Sequence, residues 1–165
     1  RSTHAPVIVQ SFEIANLVQL RAKITGLANV QLMQLVDAAG APFDRAAAGG
    51  HPTYAEMLTA EGLARIATYA DWLAPAKALV IAPGAGGRPG APTGLADAAH
   101  RAGLLVCAWT FRPENVFLPA NLRSDAGDGA RNPAGSIAEI RAFVRAGVDA
   151  VFTDDPAIGR AAIDG

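Results

Sequence analysis

The sequence is poor in the features that mark several large classes of protein. Charged residues make up only 18% of its 165 residues, the net charge is -1, and no long run of lysine or arginine occurs. A nucleic-acid-binding surface, which needs clustered cations, is therefore not expected. The apolar stretches are far shorter than the roughly 20 residues that span a bilayer, so no transmembrane segment is predicted. No signal peptide is visible either.

Cysteine and histidine are also scarce. The single cysteine, Cys107, cannot form an internal disulfide, and its place in an apolar run predicts a buried side chain rather than a reactive thiol. The three histidines are His4, His51 and His100, and no two of them have metal-ligand spacing. The sequence therefore offers no Ser-His-Asp, Cys-His or zinc constellation.

The residues that are abundant predict a globular α/β protein. Hydrophobic residues make up 51% of the chain, which predicts a single region with one core over residues 1–165. Short apolar runs alternate with longer helical patterns, which is typical of βα units around a parallel sheet covered on both faces. The predicted strands are Val7 to Phe12, Val30 to Leu35, Leu79 to Ala82, Leu104 to Thr110 and Ala150 to Thr153.

Several residues predict where the helices begin and end. Ser136 and Glu139 have the spacing of a capping box, and the helix that they open is expected to stop at Gly147. Thr59 is expected to cap another helix, and Asp155, followed by a proline, to cap the last one. The side chains expected to face the core from these helices are Leu63, Ile66, Ala67, Ile140, Phe143 and Val144.

Three segments are predicted to be loops. Residues 37–52 and 121–133 follow predicted strands, and sites of parallel α/β proteins are built from loops at this end of the sheet. The glycine-rich segment 84–90 lacks the spacing of known phosphate-binding loops and contains Pro89, so a flexible loop is favoured.

The segment Trp109-Thr110-Phe111-Arg112-Pro113-Glu114-Asn115 carries the strongest chemical signal. The planar fork of an arginine at a strand end is suited to binding two phosphate oxygens. The alternative is a surface pair between Arg112 and Glu114, with Trp109 in the core. At the end of the last predicted strand, Asp154 is interpreted as an orienting group or a weak cation contact.

Several strings, taken together and in order, resemble the glycerophosphodiester phosphodiesterases. The likeness is to their periplasmic or secreted branch, whose members carry a similar Trp/Tyr-Thr-Phe-Arg-x-Glu-Asn string. It covers nearly the whole chain. The strings are Val9 to Phe12, Gln31 to Asp37, Thr59 to Asp71, Ala108 to Asn115 and Gly147 to Pro156.

This resemblance implies a TIM (β/α)8 barrel, typically about 250 residues long, of which this chain supplies about five C-terminal βα units. The family's His-Arg-Gly, Glu-x-Asp, His-Asp and Glu-x-Lys motifs are absent from the sequence. The catalytic histidines and metal carboxylates are therefore expected outside this chain, in the N-terminal half of the same barrel. This chain alone is predicted to be inactive.

The resemblance also implies a reaction and a set of contacts. The parent enzyme would use Ca²⁺ or Mg²⁺ to hydrolyse a glycerophosphodiester to an alcohol and glycerol 3-phosphate, a step of lipid and glycerol metabolism. Phe12 would line the glycerol side of the pocket beside Trp109, and Arg112 would contact phosphate. Gln10 and Gln34 would be polar contacts to the substrate. A periplasmic or secreted location is implied by the resemblance only.

Two other interpretations stay open at this point. The chain could be a complete five-stranded, flavodoxin-like binding or regulatory domain, whose strand order would be 2-1-3-4-5. It could also be a non-catalytic, barrel-like interaction module without a catalytic half.

Overall fold

The computed structural model describes residues 5–165, so His4 lies outside the described residues. Strands and helices alternate along the chain. The strands are β1 (Val7–Ser11), β2 (Val30–Val36), β3 (Trp72–Pro75), β4 (Ile81–Pro83), β5 (Pro89–Pro92), β6 (Leu105–Phe111) and β7 (Ala150–Thr153). The helices are α1 (Ile14–Lys23), α2 (Phe43–Ala46), α3 (Tyr54–Met57), α4 (Ala60–Ile66), α5 (Lys77–Val80), α6 (Leu95–Arg101), α7 (Pro133–Arg145) and α8 (Pro156–Asp164).

The described chain divides into two compact units. The first unit contains residues up to 76 together with 97–106, and the second contains residues 77–96 and 107–165. Strand β6 and helix α6 are divided between the two units. Whether residues 1–165 act as a single region stays a prediction. None of the described helices is both long and apolar enough to cross a membrane.

The strands of the first unit follow one another in chain order. Parallel pairing joins β1 to β2, β2 to β3, and β3 to the first two residues of β6. Among the strands of the described residues, β1 pairs with β2 alone. A flavodoxin-like order would place β1 between two neighbours, so the flavodoxin-like interpretation is wrong.

The second unit contains a parallel pair and a hairpin. Strand β7 pairs in parallel with the later residues of β6, and β4 pairs antiparallel with β5. The glycine-rich segment predicted as a plain loop forms the tip and the second strand of this hairpin. The turn closes through a hydrogen bond from the Gly84 amide to the Arg88 carbonyl, 2.7 Å long, and Gly86 and Gly87 adopt φ angles of 64° and 71° that favour glycine.

The predicted third strand, Leu79 to Ala82, is wrong. The third parallel strand is β3, and the predicted run is instead divided between helix α5 and strand β4. Strand β3 has only four residues and ends in a proline, so its apolar signal is weak. It is fixed by its neighbours, because the Asp71 carboxylate before it accepts the Leu32 amide at 2.7 Å and contacts Arg21 at 2.5 Å.

Most of the predicted helix ends are confirmed. The Thr59 hydroxyl accepts the Gly62 amide at 3.1 Å, and the Asp155 carboxylate accepts the Ile158 amide at 3.1 Å. Gly147 follows α7 with a φ of 91°, a value that favours glycine and ends the helix.

The predicted capping box at Ser136 and Glu139 is wrong. Helix α7 begins one turn earlier, at Pro133, because the Asn132 side chain accepts the Gly135 amide at 3.0 Å and caps it. A proline in the first turn costs no hydrogen bond, which favours this earlier start. Ser136 and Glu139 consequently lie within the helix and are buried.

The predicted core-facing helix residues are confirmed with two exceptions. Val144 is 45% exposed, and Ala67 is only half-buried. The confirmed residues are Leu63, Ile66, Ile140 and Phe143.

The two faces of the sheet in the first unit differ in how well they are covered. On one face, Leu32, Leu73 and Val106 are wholly buried. The alternate positions include Ile8, which is 45% exposed, and Leu105, which is 39% exposed. The expectation that both faces are covered is therefore met at Met33 and Ala74, which lie on this second face and are buried, and is wrong at Ile8 and Leu105.

Candidate functional site

The predicted site residues lie at or near the carboxyl ends of parallel strands. In the first unit, Phe12 directly follows β1, and Gln34 is the third residue from the end of β2. In the second unit, Arg112 directly follows β6 and Asp154 directly follows β7. Ligands of parallel α/β proteins bind at these strand ends.

In the first unit, Gln34 holds the end of β1 in place. Its side chain is wholly buried, and its Nε2 atom donates to the carbonyls of Phe12 at 2.9 Å and Leu35 at 3.0 Å. Its Oε1 atom accepts the Tyr69 hydroxyl at 2.9 Å. Because protein groups occupy both ends of this amide, the geometry supports a positioning role rather than a direct contact to substrate.

Phe12 and Gln10 occupy alternate positions and hence one face of the chain. Phe12 is half-buried and packs edge-on against Tyr54, with ring centroids 6.3 Å apart and an angle of 64° between the rings. Gln10 is exposed and pairs in register with Met33 of β2. An aromatic ring and an exposed amide side chain therefore both lie near the end of β1.

In the second unit, Arg112 is held by a carboxylate and an aromatic ring. Its Nε atom lies 2.7 Å from Oδ2 of Asp154, and its guanidinium carbon lies 4.8 Å from the ring centroid of Phe117. The Nε proton is not directed at the carboxylate, so the contact is an ion pair rather than a directed hydrogen bond. The predicted alternative, a pair between Arg112 and Glu114, is wrong.

The two terminal nitrogens of the Arg112 guanidinium are the groups available to bind a ligand. The side chain is 43% exposed, and within residues 5–165 its two terminal nitrogens make no hydrogen bond. A guanidinium restrained at Nε and on one face keeps donors available for an oxyanion. Asp154 thus has the orienting position that was one of its two predicted roles.

Asn115 organises the loop that carries Phe117. Its buried side chain donates to the Gly127 carbonyl at 2.8 Å and accepts the Ser124 amide at 3.0 Å. It therefore fixes the long loop after β6, which the sequence predicted only as irregular. No role for Asn115 was predicted, although it ends the string that carries the resemblance.

Trp109 lies half-buried within β6, two residues before Phe111. Phe111 is wholly buried and packs edge-on against Phe143, with centroids 5.0 Å apart and an interplanar angle of 85°. The end of β6 is therefore anchored on helix α7, immediately before Arg112 begins.

The donor set of the described residues does not fit a resident metal ion. Within residues 5–165 no group of three or more histidine, cysteine, aspartate or glutamate side chains lies close enough to hold one.

The fold and the site define the class of the protein, an α/β protein with a partly exposed arginine at the end of a parallel strand. The model of the glycerophosphoryl diester phosphodiesterase family matches residues 1–158, and the chain belongs to this family. The resemblance to this family is thereby confirmed, whereas its periplasmic or secreted branch stays a prediction.

A solved structure shows the same fold. It is the crystal structure of a "Putative glycerophosphoryl diester phosphodiesterase" from Silicibacter pomeroyi DSS-3, with 20% sequence identity and a TM-score of 0.52. The match covers 94% of this chain but 37% of that chain, so this chain spans well under half of its length. No curated protein matches the chain.

Proposed function

We propose that this chain is part of a glycerophosphodiester phosphodiesterase that produces an alcohol and glycerol 3-phosphate. The observation that carries the proposal is the restrained guanidinium of Arg112 at the end of β6, held by Asp154 and Phe117. Membership of the family supports the reaction type. The contribution of this chain is a set of walls of the substrate pocket.

Each predicted site residue has a distinct proposed role. Arg112 donates charge-assisted hydrogen bonds to the phosphate oxygens and stabilises negative charge that develops on them during hydrolysis. Phe12 and Trp109 give apolar contact to the glycerol carbons, and Gln10 is a polar contact. Gln34 acts through Phe12, because its amide fixes the backbone carbonyl of that residue.

The groups that move protons are proposed to lie outside this chain. Its partner is then the N-terminal half of the same TIM barrel, to which this chain adds about five C-terminal βα units. The absent His-Arg-Gly and Glu-x-Asp motifs support this division, as does the fraction of the solved relative that the chain covers. Ca²⁺ or Mg²⁺, bound by that half, would supply charge neutralisation at phosphate. A periplasmic or secreted location is proposed on resemblance.

The proposal is tested by titrating the purified chain with glycerol 3-phosphate and following NMR resonances. We expect shifts at the Arg112 side chain and at the amides of Phe12 and Trp109 at millimolar ligand. Arg112→Ala should abolish the shifts at the Phe12 and Trp109 amides, whereas Arg145→Ala, at an exposed position at the end of α7, should leave these shifts intact. Shifts that persist in Arg112→Ala, or no shifts in the unmodified chain, would contradict the assigned pocket.

A further inference from the structure

A second charged pair lies behind the end of β6, and neither of its two residues was predicted to belong to the site. Nζ of Lys77 lies 2.8 Å from Oε1 of Glu139, with the side chains 21% and 5% exposed. The chain has only two lysines, and the other, Lys23, is exposed in α1. Lysine is almost never buried without a partner, and for the largely buried Lys77 the partner is Glu139.

The same ammonium group touches the last residue of β6. Nζ of Lys77 lies 5.1 Å from the ring centroid of Phe111, a distance typical of a cation–π contact. Phe111 also packs on Phe143 of α7, the helix that carries Glu139. Lys77 and Phe143 therefore both contact the ring of Phe111, the residue that immediately precedes Arg112.

Stability alone does not account for this arrangement. A buried ion pair is weak evidence for stability, since the cost of desolvating two charges can exceed their attraction. Here the cost is increased, because Oε2 of Glu139 is buried without a hydrogen-bond partner among the described residues. An apolar pair of similar size would fill the same volume, so the charged pair is better explained by the geometry that it imposes.

We propose that Lys77 is a positioning residue for Arg112. Its ion pair with Glu139 and its contact with the ring of Phe111 fix the end of β6, from which the Arg112 side chain extends. The inference rests on the proposed role of Arg112 as the phosphate contact. Three distances link the groups in sequence, from Glu139 to Lys77, from Lys77 to Phe111, and from Arg112 to Asp154. Phe111 is covalently joined to Arg112, and its carbonyl accepts the Asp154 amide at 3.1 Å.

Loss of the ammonium group should therefore be transmitted to Arg112. Without Lys77, the Glu139 carboxylate would be buried and unpaired, and it would have to turn toward solvent or take up a proton. Either change alters the surroundings of Phe111, and with them the direction in which the Arg112 side chain leaves β6.

The deciding measurement is the Nε–Hε NMR resonance of Arg112, which senses both Asp154 and the ring current of Phe117. Lys77→Met should shift this resonance and weaken its cross-peaks to Phe117, whereas Lys77→Arg should largely restore both. Lys23→Met is the matched control and should leave the Arg112 resonance and its cross-peaks to Phe117 unchanged. Glu139→Gln, which keeps the size of the side chain, gives the same readout if Lys77→Met does not fold. An unchanged Arg112 resonance in either folded variant would overturn the inference.

A second readout separates positioning from a general loosening of the structure. Lys77→Met should weaken glycerol 3-phosphate binding by about tenfold, since small displacements of a binding group are costly. In an Arg112→Lys background the same change should cause little further loss, because Lys77 acts through Arg112. Equal losses in both backgrounds would contradict the positioning role. If the Arg112 resonance moves while the unmodified chain binds no glycerol 3-phosphate, the proposed function fails and the positioning role stands.

Discussion

Nε of Arg112 lies 2.7 Å from Oδ2 of Asp154, and the contact joins the residues that directly follow β6 and β7. Both side chains are partly exposed, so the pair contributes little to folding, typically about 0–1 kcal/mol. The pair instead sets the direction of the guanidinium, because Asp154 occupies its Nε side and the terminal nitrogens stay available. The two strand ends thus act together in presenting one cationic group.

The first prediction concerns Asp154. Asp154→Asn should change the free energy of unfolding by no more than about 0.5 kcal/mol, as expected at a partly exposed position. It should weaken glycerol 3-phosphate binding severalfold, because Arg112 must then be ordered at the expense of binding energy. Asp164→Asn, which removes another exposed ion pair, is the control for a general charge effect. Equal affinities of both variants and the unmodified chain would show that Asp154 does not orient Arg112.

The second prediction concerns the stability contributed by Lys77. Lys77→Met should lower the free energy of unfolding by about 3 kcal/mol, because it leaves the Glu139 charge buried and unpaired. Urea denaturation at neutral pH measures this loss. A change below about 0.5 kcal/mol would mean that Glu139 escapes to solvent without cost.

The third prediction is the pH dependence of that loss. Burial raises the pKa of Glu139 above its usual value, and Lys77 acts in the opposite direction. Removing Lys77 should raise this pKa further. A folded-state pKa above the unfolded one contributes stability that is present below the unfolded pKa and is lost as pH rises through the folded pKa. Lys77→Met should therefore lose more stability than the unmodified chain between acidic and neutral pH.

The control for this pH effect is the double variant Lys77→Met with Glu139→Gln, which has no titrating group at the pair. The pH profile of its unfolding free energy should lie closer to the profile of the unmodified chain than the profile of the single variant does. Parallel profiles for the single variant and the unmodified chain would refute the assignment to Glu139.

The fourth prediction concerns Cys107. The thiol is buried, as the sequence predicted, and burial raises its pKa to about 12. In the folded chain it should fail to react with Ellman's reagent at mildly alkaline pH, since the thiolate is the reacting form. Urea should release one reactive thiol per chain. Fast reaction in the folded state would show that this part of β6 opens readily.

The fifth prediction concerns Gln34. Gln34→Met should cost about 2–3 kcal/mol, because the buried Tyr69 hydroxyl and the carbonyls of Phe12 and Leu35 lose their partner. Gln10→Met, at the exposed position on β1, should cost no more than about 0.5 kcal/mol. Urea denaturation of both variants measures the difference. Similar costs would show that the hydrogen bonds of Gln34 are replaced by water.

Local signals in the sequence predicted much of the fold. The alternation of strands and helices, the caps at Thr59 and Asp155, and the stop at Gly147 each depend on residues within one turn of one another. Strand β3 was missed because four residues ending in proline carry little apolar signal. The start of α7 was misplaced because two capping patterns overlap, and the asparagine at Asn132 with its following proline prevails over Ser136.

The candidate site was only partly predictable. Arg112 was found because its string resembles that of a known family, but its partner Asp154 depends on the pairing of β6 with β7. Lys77 and Glu139 are 62 residues apart, and no local pattern joins them. Gln34 was expected to face substrate, but its surroundings are set by Tyr69, 35 residues further along the chain.

The central claim is that the walls of the pocket lie in this chain and the proton-moving groups do not. Its most direct test is hydrolysis of glycerophosphocholine by the purified 165-residue chain, with Ca²⁺ or Mg²⁺ added. We predict no release of glycerol 3-phosphate above the protein-free rate. Hydrolysis that is present in the unmodified chain and lost in Arg112→Ala would place catalysis within these residues and contradict the account.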